Sequence, residues 1–266
     1  MINGERQTKA AIRWAMVGGG KGSQIGYIHR SAAERDRYFQ LAAGAFDLDA
    51  ARGRAFGVEL GLDPDRCYAD YKAMFAAESA RPDGIRAVSI ATPNNTHYEI
   101  SKAALQAGIH VICEKPLTFT TAEAQELQRI AAERNLLVGV TYGYSGYQMI
   151  EEAARLVADG TLGEIRLVNL QFAHGFHNEA VEDANPAIRW RVDPKFAGPS
   201  YVLGDLATHP LYLSEVICPQ LKISRLMCAR QSFIASRAPL EDNAVTLMEY
   251  EGGAFGTLWT SAVNAG

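Results

Sequence analysis

The chain has 266 residues, 48% of them hydrophobic, and a formal net charge of −4. This composition is typical of one large or two smaller globular domains, and the charges form no basic block that could follow a phosphate backbone. No apolar stretch approaches the ~18 residues that cross a bilayer, and residues 1–20 lack the apolar segment and cleavage site of a secretory leader. We therefore expect a cytoplasmic protein without a nucleic-acid or membrane partner.

Residues 1–142 alternate short apolar runs with helical patterns. Apolar runs without polar alternation are typical of strands buried on both faces of a parallel sheet. Repeated strand and helix predict an α/β fold, a Rossmann-type doubly wound sheet with right-handed crossovers. The helix over 121–134 is predicted to begin with Thr121 as its N-cap. The predicted strands are 12–17, 39–46, 87–92, 110–113 and 136–142, and the predicted helices are 24–36, 48–60, 70–80, 97–107 and 121–134.

Beyond residue 142 the pattern changes to one helix, 147–160, followed by longer strand-like runs. "EGG" interrupts the last of these runs, which predicts an antiparallel hairpin. We therefore predict a nucleotide-binding domain over 1–142 and a C-terminal α+β domain with a largely antiparallel open sheet over 143–266. The predicted strands of this second domain are 164–174, 223–233 and two within 243–263.

The sequence ends on a strand-like run, "GTLWTSAVNAG". Nothing follows that could pair with this strand, and an unpaired strand exposes a row of backbone hydrogen-bonding groups. Either the C-terminal domain is incomplete or a partner subunit covers that edge, and we expect the first.

The four cysteines of the chain are far apart. No two of them have the C-x-x-C spacing of a metal or redox site, and their density is too low for a secreted disulfide framework. We interpret them as reduced thiols of a cytoplasmic protein. They are Cys67, Cys113, Cys218 and Cys228.

A glycine-rich loop closes the first predicted strand and precedes a predicted helix. Glycine allows the backbone to approach a pyrophosphate, and the helix N-terminus presents free N–H groups to it, although such clusters can also be plain turns. The match to G-x-G-x-x-G is imperfect, because Ser23 takes the third place and Gly26 follows three residues later. The predicted pyrophosphate-binding residues are Gly18, Gly20, Ser23, Gln24 and Ile25.

Asp47 ends the second predicted strand, where a carboxylate can accept both ribose hydroxyls of an adenosine. It would repel a 2′-phosphate by about 4 kcal/mol at ~4 Å and an effective dielectric constant of ~20. The nearby Arg52 or Arg54 could instead hold such a phosphate, and Asp47 could also be a helix N-cap. We predict NAD as the cofactor rather than NADP.

Polar side chains follow the next two predicted strands. Thr92, Asn94 and His97 come after one of them, and Glu114 and Lys115 come after the other. The carboxyl ends of parallel strands meet at one edge of the sheet, where ligands of open α/β folds bind. We predict that these five residues contact the cofactor and that Lys115 also lies near the nicotinamide.

The motifs "TPN" (92–94), "EKP" (114–116), "LGEI" (162–165) and the run 190–215, with an aspartate and a histidine four apart, occur in this order. In this order they resemble the Gfo/Idh/MocA oxidoreductases, relatives of glucose–fructose oxidoreductase and inositol dehydrogenase. The resemblance implies a sugar or cyclic polyol as substrate and a homo-oligomer formed through the C-terminal sheet. The chain departs from the family pattern in its glycine loop, in "GPSYVLG" before the D-x-x-x-H motif, and in its length.

Asp205 and His209 are the aspartate and histidine of this motif, and their spacing places them on one helical face. Pro210 lacks an N–H group, which predicts that the pair lies in the first turn of a helix. Histidine titrates near neutral pH and is the commonest proton acceptor, and a neighbouring carboxylate would orient it. The predicted catalytic residues are therefore Lys115, Asp205 and His209.

A metal site is the alternative for these residues, since His174 and His177 could complete a set with Asp205 and His209. In a strand, however, residues three apart point to opposite faces. We therefore expect no metal and interpret His174 and His177 as lining the substrate crevice or its loop.

Together these residues predict reversible hydride transfer between a secondary alcohol and NAD. His209 would take the hydroxyl proton, Lys115 would stabilise the developing alkoxide, and Glu114 would support Lys115 or the ribose. The predicted substrate contacts are Tyr142, Tyr144, Trp190, Arg191, Asp205 and His209.

Two other functions use the same nucleotide-binding fold. The chain could be a non-catalytic NAD-sensing regulator, against which the presence of Lys115, Asp205 and His209 argues. It could also hydrolyse glycosides through transient oxidation by bound NAD. Product analysis would distinguish the latter from a dehydrogenase.

Overall fold

The computed structural model describes residues 10–265, and for Pro186 and Ala187 it describes the backbone only. The chain forms two compact units, of which the first ends at Thr141 and the second begins at Tyr142. Residues 1–9 of the predicted first domain and residue 266 of the second lie outside the described residues.

The first unit is built on a five-stranded sheet with the strand order β2-β1-β3-β4-β5. Every neighbouring pair is parallel, and the order reverses between β1 and β3, which is the pattern of a doubly wound sheet. The predicted Rossmann fold is confirmed. The strands are β1 (Ile12–Gly18), β2 (Phe39–Ala45), β3 (Ala87–Ala91), β4 (His110–Cys113) and β5 (Val138–Val140).

Consecutive residues of β1 are buried in opposite layers, which explains its unbroken apolar run. Trp14 and Met16 pack in one cluster and Ala15 and Val17 in another, and each of the four is at most 5% exposed. Because side chains alternate across a strand, burial of all four requires a covered sheet on both faces.

Helices connect the strands of this sheet, and one of them begins differently from the prediction. The N-cap of α5 is Thr120, not Thr121: its hydroxyl accepts from the Glu123 N–H, and the Glu123 carboxylate accepts from the Thr120 N–H. This reciprocal capping box satisfies two donors that a cap at Thr121 would leave open. The helices are α1 (Gln24–Arg35), α2 (Ala50–Glu59), α3 (Tyr71–Ser79), α4 (His97–Gln106) and α5 (Thr121–Arg134).

The second unit contains a four-stranded sheet with the order β6-β9-β8-β7. Pairs β7–β8 and β8–β9 are antiparallel, with β8 and β9 forming the predicted hairpin, whereas β6 and β9 are parallel. The expectation of an unpaired last strand is therefore wrong, because β9 lies inside the sheet and is bonded on both sides. The strands are β6 (Leu167–Ala173), β7 (Ile223–Gln231), β8 (Asn243–Tyr250) and β9 (Phe255–Ser261).

One face of this second sheet is covered by its helices, and the other is open. On the covered face Met248 and Leu258 pack with Ala207. On the other face Met227, Val245 and Phe255 are exposed. Within residues 10–265, no helix is long and apolar enough to cross a membrane. The helices of the unit are α6 (Gln148–Ala158), α7 (Pro186–Arg189), α8 (Pro194–Ala197) and α9 (Thr208–Ile217).

A π-helical segment, Leu203–Ala207, runs directly into α9. Pro210 therefore lies inside a continuous helix and not in the first turn of an isolated one, as its missing N–H had predicted. The π turn already departs from the regular i−4 bonding, so the missing donor costs less here than in a regular helix. Asp205 belongs to the π segment and His209 to α9, and a spacing of four keeps them close to one face in either geometry.

Candidate active site

The glycine-rich loop after β1 packs closely against its surroundings. Gly18 and Gly19 have positive φ angles of 75° and 67°, and a Cβ on Gly20 would lie 2.6 Å from the Phe46 carbonyl oxygen. A Cβ on Gly26 would overlap the carbonyl oxygen and Cα of Gly19. Gly26 therefore has the role of the third glycine, which allows the helix to approach the strand.

Ser23 takes the position of the third glycine in the G-x-G-x-x-G pattern, but in the structure it is the N-cap of α1. Its hydroxyl accepts from the Gly26 N–H at 3.1 Å. The N–H groups of Gln24 and Ile25 belong to the first helical turn and have no carbonyl four residues before them inside the helix. A helix start with free donors behind a glycine loop fits the pyrophosphate of a dinucleotide.

Replacing Gly26 with alanine is expected to weaken NADH binding at least tenfold. The new methyl group would push α1 away from Gly19, and overpacking of this kind costs about 1–3 kcal/mol. The measurement is a fluorescence titration with NADH. Gly139→Ala is the matched control, because its Cβ would meet only the Val111 carbonyl oxygen at 4.0 Å. Equal affinities for the two variants would contradict the role of Gly26.

Asp47 lies two residues beyond β2 and is held by Arg52. Arg52 donates from Nη2 to Oδ1 at 2.8 Å and from Nε to Oδ2 at 3.2 Å, and the Asp49 N–H donates to Oδ1 at 2.8 Å. These bonds, led by those from Arg52, lower the pKa of Asp47 and keep it charged. Asp49, and not Asp47, is the N-cap of α2, so the N-cap alternative for Asp47 is wrong.

His97 connects the loop after β3 to the "EKP" segment, because its two ring nitrogens lie within hydrogen-bonding distance of a backbone carbonyl in each. The His97 side chain is fully buried, with Nδ1 2.7 Å from the Pro116 carbonyl oxygen and Nε2 2.9 Å from that of Thr92. Burial lowers the pKa of His97, although the two carbonyls favour its protonated form. His97 thus lies beneath the surface, which differs from its predicted contact with a cofactor. Asn94 is also buried, with 9% of its surface exposed.

Glu114, directly after β4, has hydrogen-bond partners from two other elements. Its Oε1 accepts from the Thr141 hydroxyl at 2.6 Å and lies 2.9 Å from Nε2 of His29. Burial raises the pKa of Glu114, but the bonds from His29 and Thr141 and the charge of Lys115 outweigh burial, and the net pKa is lowered. A charged pair at the end of a buried strand is therefore stable, with its carboxylate satisfied and Lys115 half-buried beside it.

In the second unit, Asp205 forms an ion pair with Arg191, whose Nε lies 3.7 Å from Oδ2. Arg191 in turn lies over the Trp190 ring, 4.6 Å from its centroid. The short turn Trp190–Val192 thus holds a guanidinium beside the aspartate of the predicted catalytic pair. The structure brings three predicted substrate contacts together here.

The His209 ring lies among aromatic rings. Its centroid is 4.7 Å from that of Tyr144, 5.8 Å from Tyr142 and 5.9 Å from Phe172, and Tyr142 stacks on Tyr212 at 4.5 Å. We call Tyr142, Tyr144, Phe172 and Tyr212 the aromatic cluster. Sequence reasoning missed Phe172 and Tyr212; alternation along β6 and the spacing of three from His209 are the signals that could have indicated them.

His174 and His177 have different surroundings. His174 is partly exposed and lies near the Phe172 ring, whereas His177 is 1% exposed and its Nδ1 contacts the Tyr201 hydroxyl. His177 therefore lies in the loop after β6, which the prediction allowed, and is too deeply buried to line an open crevice. Within residues 10–265, no group of three His, Cys, Asp or Glu side chains is arranged to hold a metal ion.

A buried arginine that sequence reasoning missed holds the loop that carries these histidines. Arg237 is 1% exposed and donates to both carboxylate oxygens of Glu182, at 2.8 and 2.9 Å. It also donates to the carbonyl oxygens of His177 at 2.8 Å and Glu179 at 2.7 Å. The guanidinium thus ties the segment after β6 to the turn before β8.

His177 is expected to make the free energy of unfolding depend on pH. Burial, followed by the charges of Arg237 and Arg191, lowers the pKa of His177 to about 4. The unfolded chain binds this proton at a higher pH than the folded protein does, so the protein should lose about 3 kcal/mol between pH 6.5 and 4. Denaturant unfolding of wild type and His177→Asn across this range measures it. The asparagine variant should show a shallower loss, and identical slopes would contradict the prediction.

Two family models match the chain. The model described as "Oxidoreductase family, NAD-binding Rossmann fold" matches residues 12–142, and the model described as "GFO/IDH/MocA C-terminal domain" matches residues 150–266. The chain belongs to the Gfo/Idh/MocA family of NAD-binding oxidoreductases. The predictions of the family, of an oxidoreductase and of NAD are confirmed at this level.

Several relatives are similar over most of the chain. An uncharacterised oxidoreductase, YfiI, of Bacillus subtilis (strain 168) is 59% identical over 100% of this chain and 68% of its own length. The crystal structure of an inositol dehydrogenase homologue from Azotobacter vinelandii with NAD⁺ is 66% identical, with a TM-score of 0.98 over 100% of this chain and 68% of that one. A second structure from that organism, with NADH and myo-inositol, is 66% identical, with a TM-score of 0.91 over 96% of this chain and 65% of that one. The chain therefore spans about two thirds of the length of these relatives.

Proposed function

We propose that the protein catalyses reversible hydride transfer between NAD and a secondary alcohol of a cyclic polyol or sugar. The observation that carries this proposal is the position of His209, which lies among the rings of the aromatic cluster and one helical turn from Asp205. Aromatic faces pack against the C–H faces of a polyol ring, while imidazole, carboxylate and guanidinium groups bind its hydroxyls. The second unit therefore combines a proton acceptor with a surface suited to a cyclic polyol.

A cyclic polyol is the favoured substrate class because of the similarity to the Azotobacter vinelandii protein. That inositol dehydrogenase homologue was crystallised with NADH and myo-inositol, and 66% of its aligned residues are identical to those of this chain. Inositols present hydroxyls on a ring without a free aldehyde, so the reaction would be an alcohol-to-ketone oxidation at one ring carbon.

In this reaction some residues would accept the hydroxyl proton and others would stabilise the negative charge that develops on the substrate oxygen. NAD accepts the hydride when it is bound. His209 would accept the hydroxyl proton, and Asp205, paired with Arg191, would orient the imidazole or hold a neighbouring hydroxyl. Lys115 would donate to the substrate oxygen and stabilise its alkoxide character. Glu114 would keep the Lys115 segment in place.

NAD, rather than NADP, follows in this proposal from Asp47. Its lowered pKa keeps a negative charge where a 2′-phosphate would lie, and Arg52 is bonded to this carboxylate. The relatives with NAD⁺ and NADH support the same choice.

The test is a spectrophotometric screen of the purified chain against inositols and sugars, with NAD and NADP in parallel. We expect NADH formation with at least one cyclic polyol and much slower reduction of NADP. No dinucleotide reduction with any substrate, despite NADH binding, would overturn the proposal in favour of a nucleotide-sensing regulator. A broken glycosidic bond without accumulated NADH would favour NAD-assisted hydrolysis.

We further propose a cytoplasmic homo-oligomer that forms through the open face of the second sheet. The four cysteines are free thiols, as expected in a reducing compartment. Met227, Val245 and Phe255 expose apolar surface on the face that the helices leave open. Light scattering of wild type and of Met227→Glu measures the assembly, and an unchanged mass for the charged variant would contradict this interface.

A further inference from the structure

His29 is a buried histidine of α1 to which the proposed reaction assigns no role. It is 8% exposed, its Nδ1 lies 3.0 Å from the Ser89 hydroxyl of β3, and its Nε2 lies 2.9 Å from Oε1 of Glu114. The imidazole therefore joins a helix that follows the glycine loop to the segment that carries Lys115.

The direction of the bond to Glu114 follows from chemistry. An ionised carboxylate only accepts hydrogen bonds, so Nε2 must carry the proton that it donates. Oε1 also accepts from Thr141 at 2.6 Å, and the Glu114 N–H donates to the Ile90 carbonyl oxygen at 3.0 Å. Three contacts to one residue at a strand end leave its orientation little freedom.

Lys115 is thereby fixed on both sides along the chain. Glu114 before it is held by His29 and Thr141, and the carbonyl of Pro116 after it lies 2.7 Å from Nδ1 of His97. His97 is fully buried and has a second contact to Thr92. The position of the lysine thus depends on two histidines from α1 and α4.

We propose that His29 is a positioning residue for Lys115, acting through a hydrogen bond from Nε2 to the Glu114 carboxylate. The inference rests on the proposed function, in which Lys115 stabilises the alkoxide. Loss of the Nε2 donor would free the Glu114 carboxylate, and the lysine would then sample positions from which it cannot reach the substrate oxygen. A displacement of about 1 Å of such a group from its productive position can lower the rate about a hundredfold.

Two substitutions separate the two ring nitrogens. The amide nitrogen of His29→Gln can reach the place of Nε2 and still donate to Glu114, whereas that of His29→Asn reaches only the place of Nδ1. We expect His29→Asn to lower kcat at least tenfold with KM and the NADH dissociation constant within threefold, and His29→Gln to restore kcat to within about threefold of wild type. His110→Asn, at the opposite end of β4, is the matched control and should change kcat less than twofold.

A second readout does not depend on activity. Limited acetylation followed by mass spectrometry gives the labelling rate of Lys115 relative to the exposed Lys72. The rate should rise severalfold in His29→Asn and return toward wild type in His29→Gln. Equal acetylation rates of Lys115 in the wild type and both variants would overturn the inference. A kcat of His29→Asn equal to that of an active wild type would also overturn it. If the wild-type chain is inactive, only the proposed function is overturned. The acetylation rates of Lys115 would still show whether His29 positions this lysine.

Discussion

Replacing Lys115 with alanine is expected to lower kcat by about 10²–10³-fold, the range measured when one donor to a developing oxyanion is removed. The lysine follows β4 at the carboxyl edge of the parallel sheet, half-buried beside the charged Glu114. Its ammonium would contact the substrate oxygen, whose negative charge grows as the hydride leaves. The NADH dissociation constant should change only severalfold, because the pyrophosphate and ribose groups are assigned to the glycine loop and Asp47.

Steady-state kinetics and NADH titrations of the same preparations measure both quantities. Lys102→Ala is the matched control, since Lys102 is not one of the predicted site residues and its ammonium forms a salt bridge with Glu126 at 2.8 Å. This variant should retain activity within twofold. Lys115→Arg should recover part of the lost rate, because it keeps the charge in a different geometry. An alanine variant with unchanged kcat would remove Lys115 from the mechanism.

The Asp47→Ala variant is expected to raise the ratio of kcat/KM for NADP to that for NAD by about a hundredfold. The substitution removes the carboxylate that would repel the 2′-phosphate, and repulsion of this kind is worth up to about 4 kcal/mol. It also releases Arg52, which now donates twice to Asp47, at 2.8 and 3.2 Å. The freed guanidinium could then bind the phosphate of NADP.

The double variant Asp47→Ala with Arg52→Ala separates these two effects. It should keep the relief of repulsion and lose the new attraction, so its ratio should fall between those of wild type and Asp47→Ala. Asp159→Ala is the matched control, because Asp159 is likewise a carboxylate bonded to an arginine, Arg155, at 2.7 Å. A ratio for Asp47→Ala equal to that of wild type would show that another residue selects the cofactor.

The order and type of the elements followed from local signals in the sequence. Unbroken apolar runs such as that of β1 indicated a doubly covered sheet, and "EGG" indicated the hairpin of β8 and β9. The glycine loop, Asp47 and Lys115 could be proposed as site residues because ligands of open α/β sheets bind beyond the carboxyl ends of the strands. These features depend on neighbours a few residues away, which the sequence displays directly.

Contacts between distant segments were decided by the tertiary structure alone. The sequence offered no means of pairing His29 with Glu114, 85 residues apart, or Arg237 with Glu182, 55 apart. The spacing of the G-x-G-x-x-G pattern also put Ser23 in the place of the third glycine. Only the packing shows that Gly26, which lies against Gly19, has that role. His97 was predicted to meet a ligand and is buried between two backbone carbonyls.

The amino-acid sequence by itself determined a nucleotide-binding α/β unit followed by an α+β unit, and it supplied the residues to which the proposed hydride transfer is assigned. The tertiary structure decided which side chains hold the charged groups in place and that β9 lies inside its sheet between β6 and β8. The physical reason is that propensity and periodicity act over one or two turns of chain. Burial and hydrogen bonding of a polar side chain are instead set by whichever segments the fold brings against it.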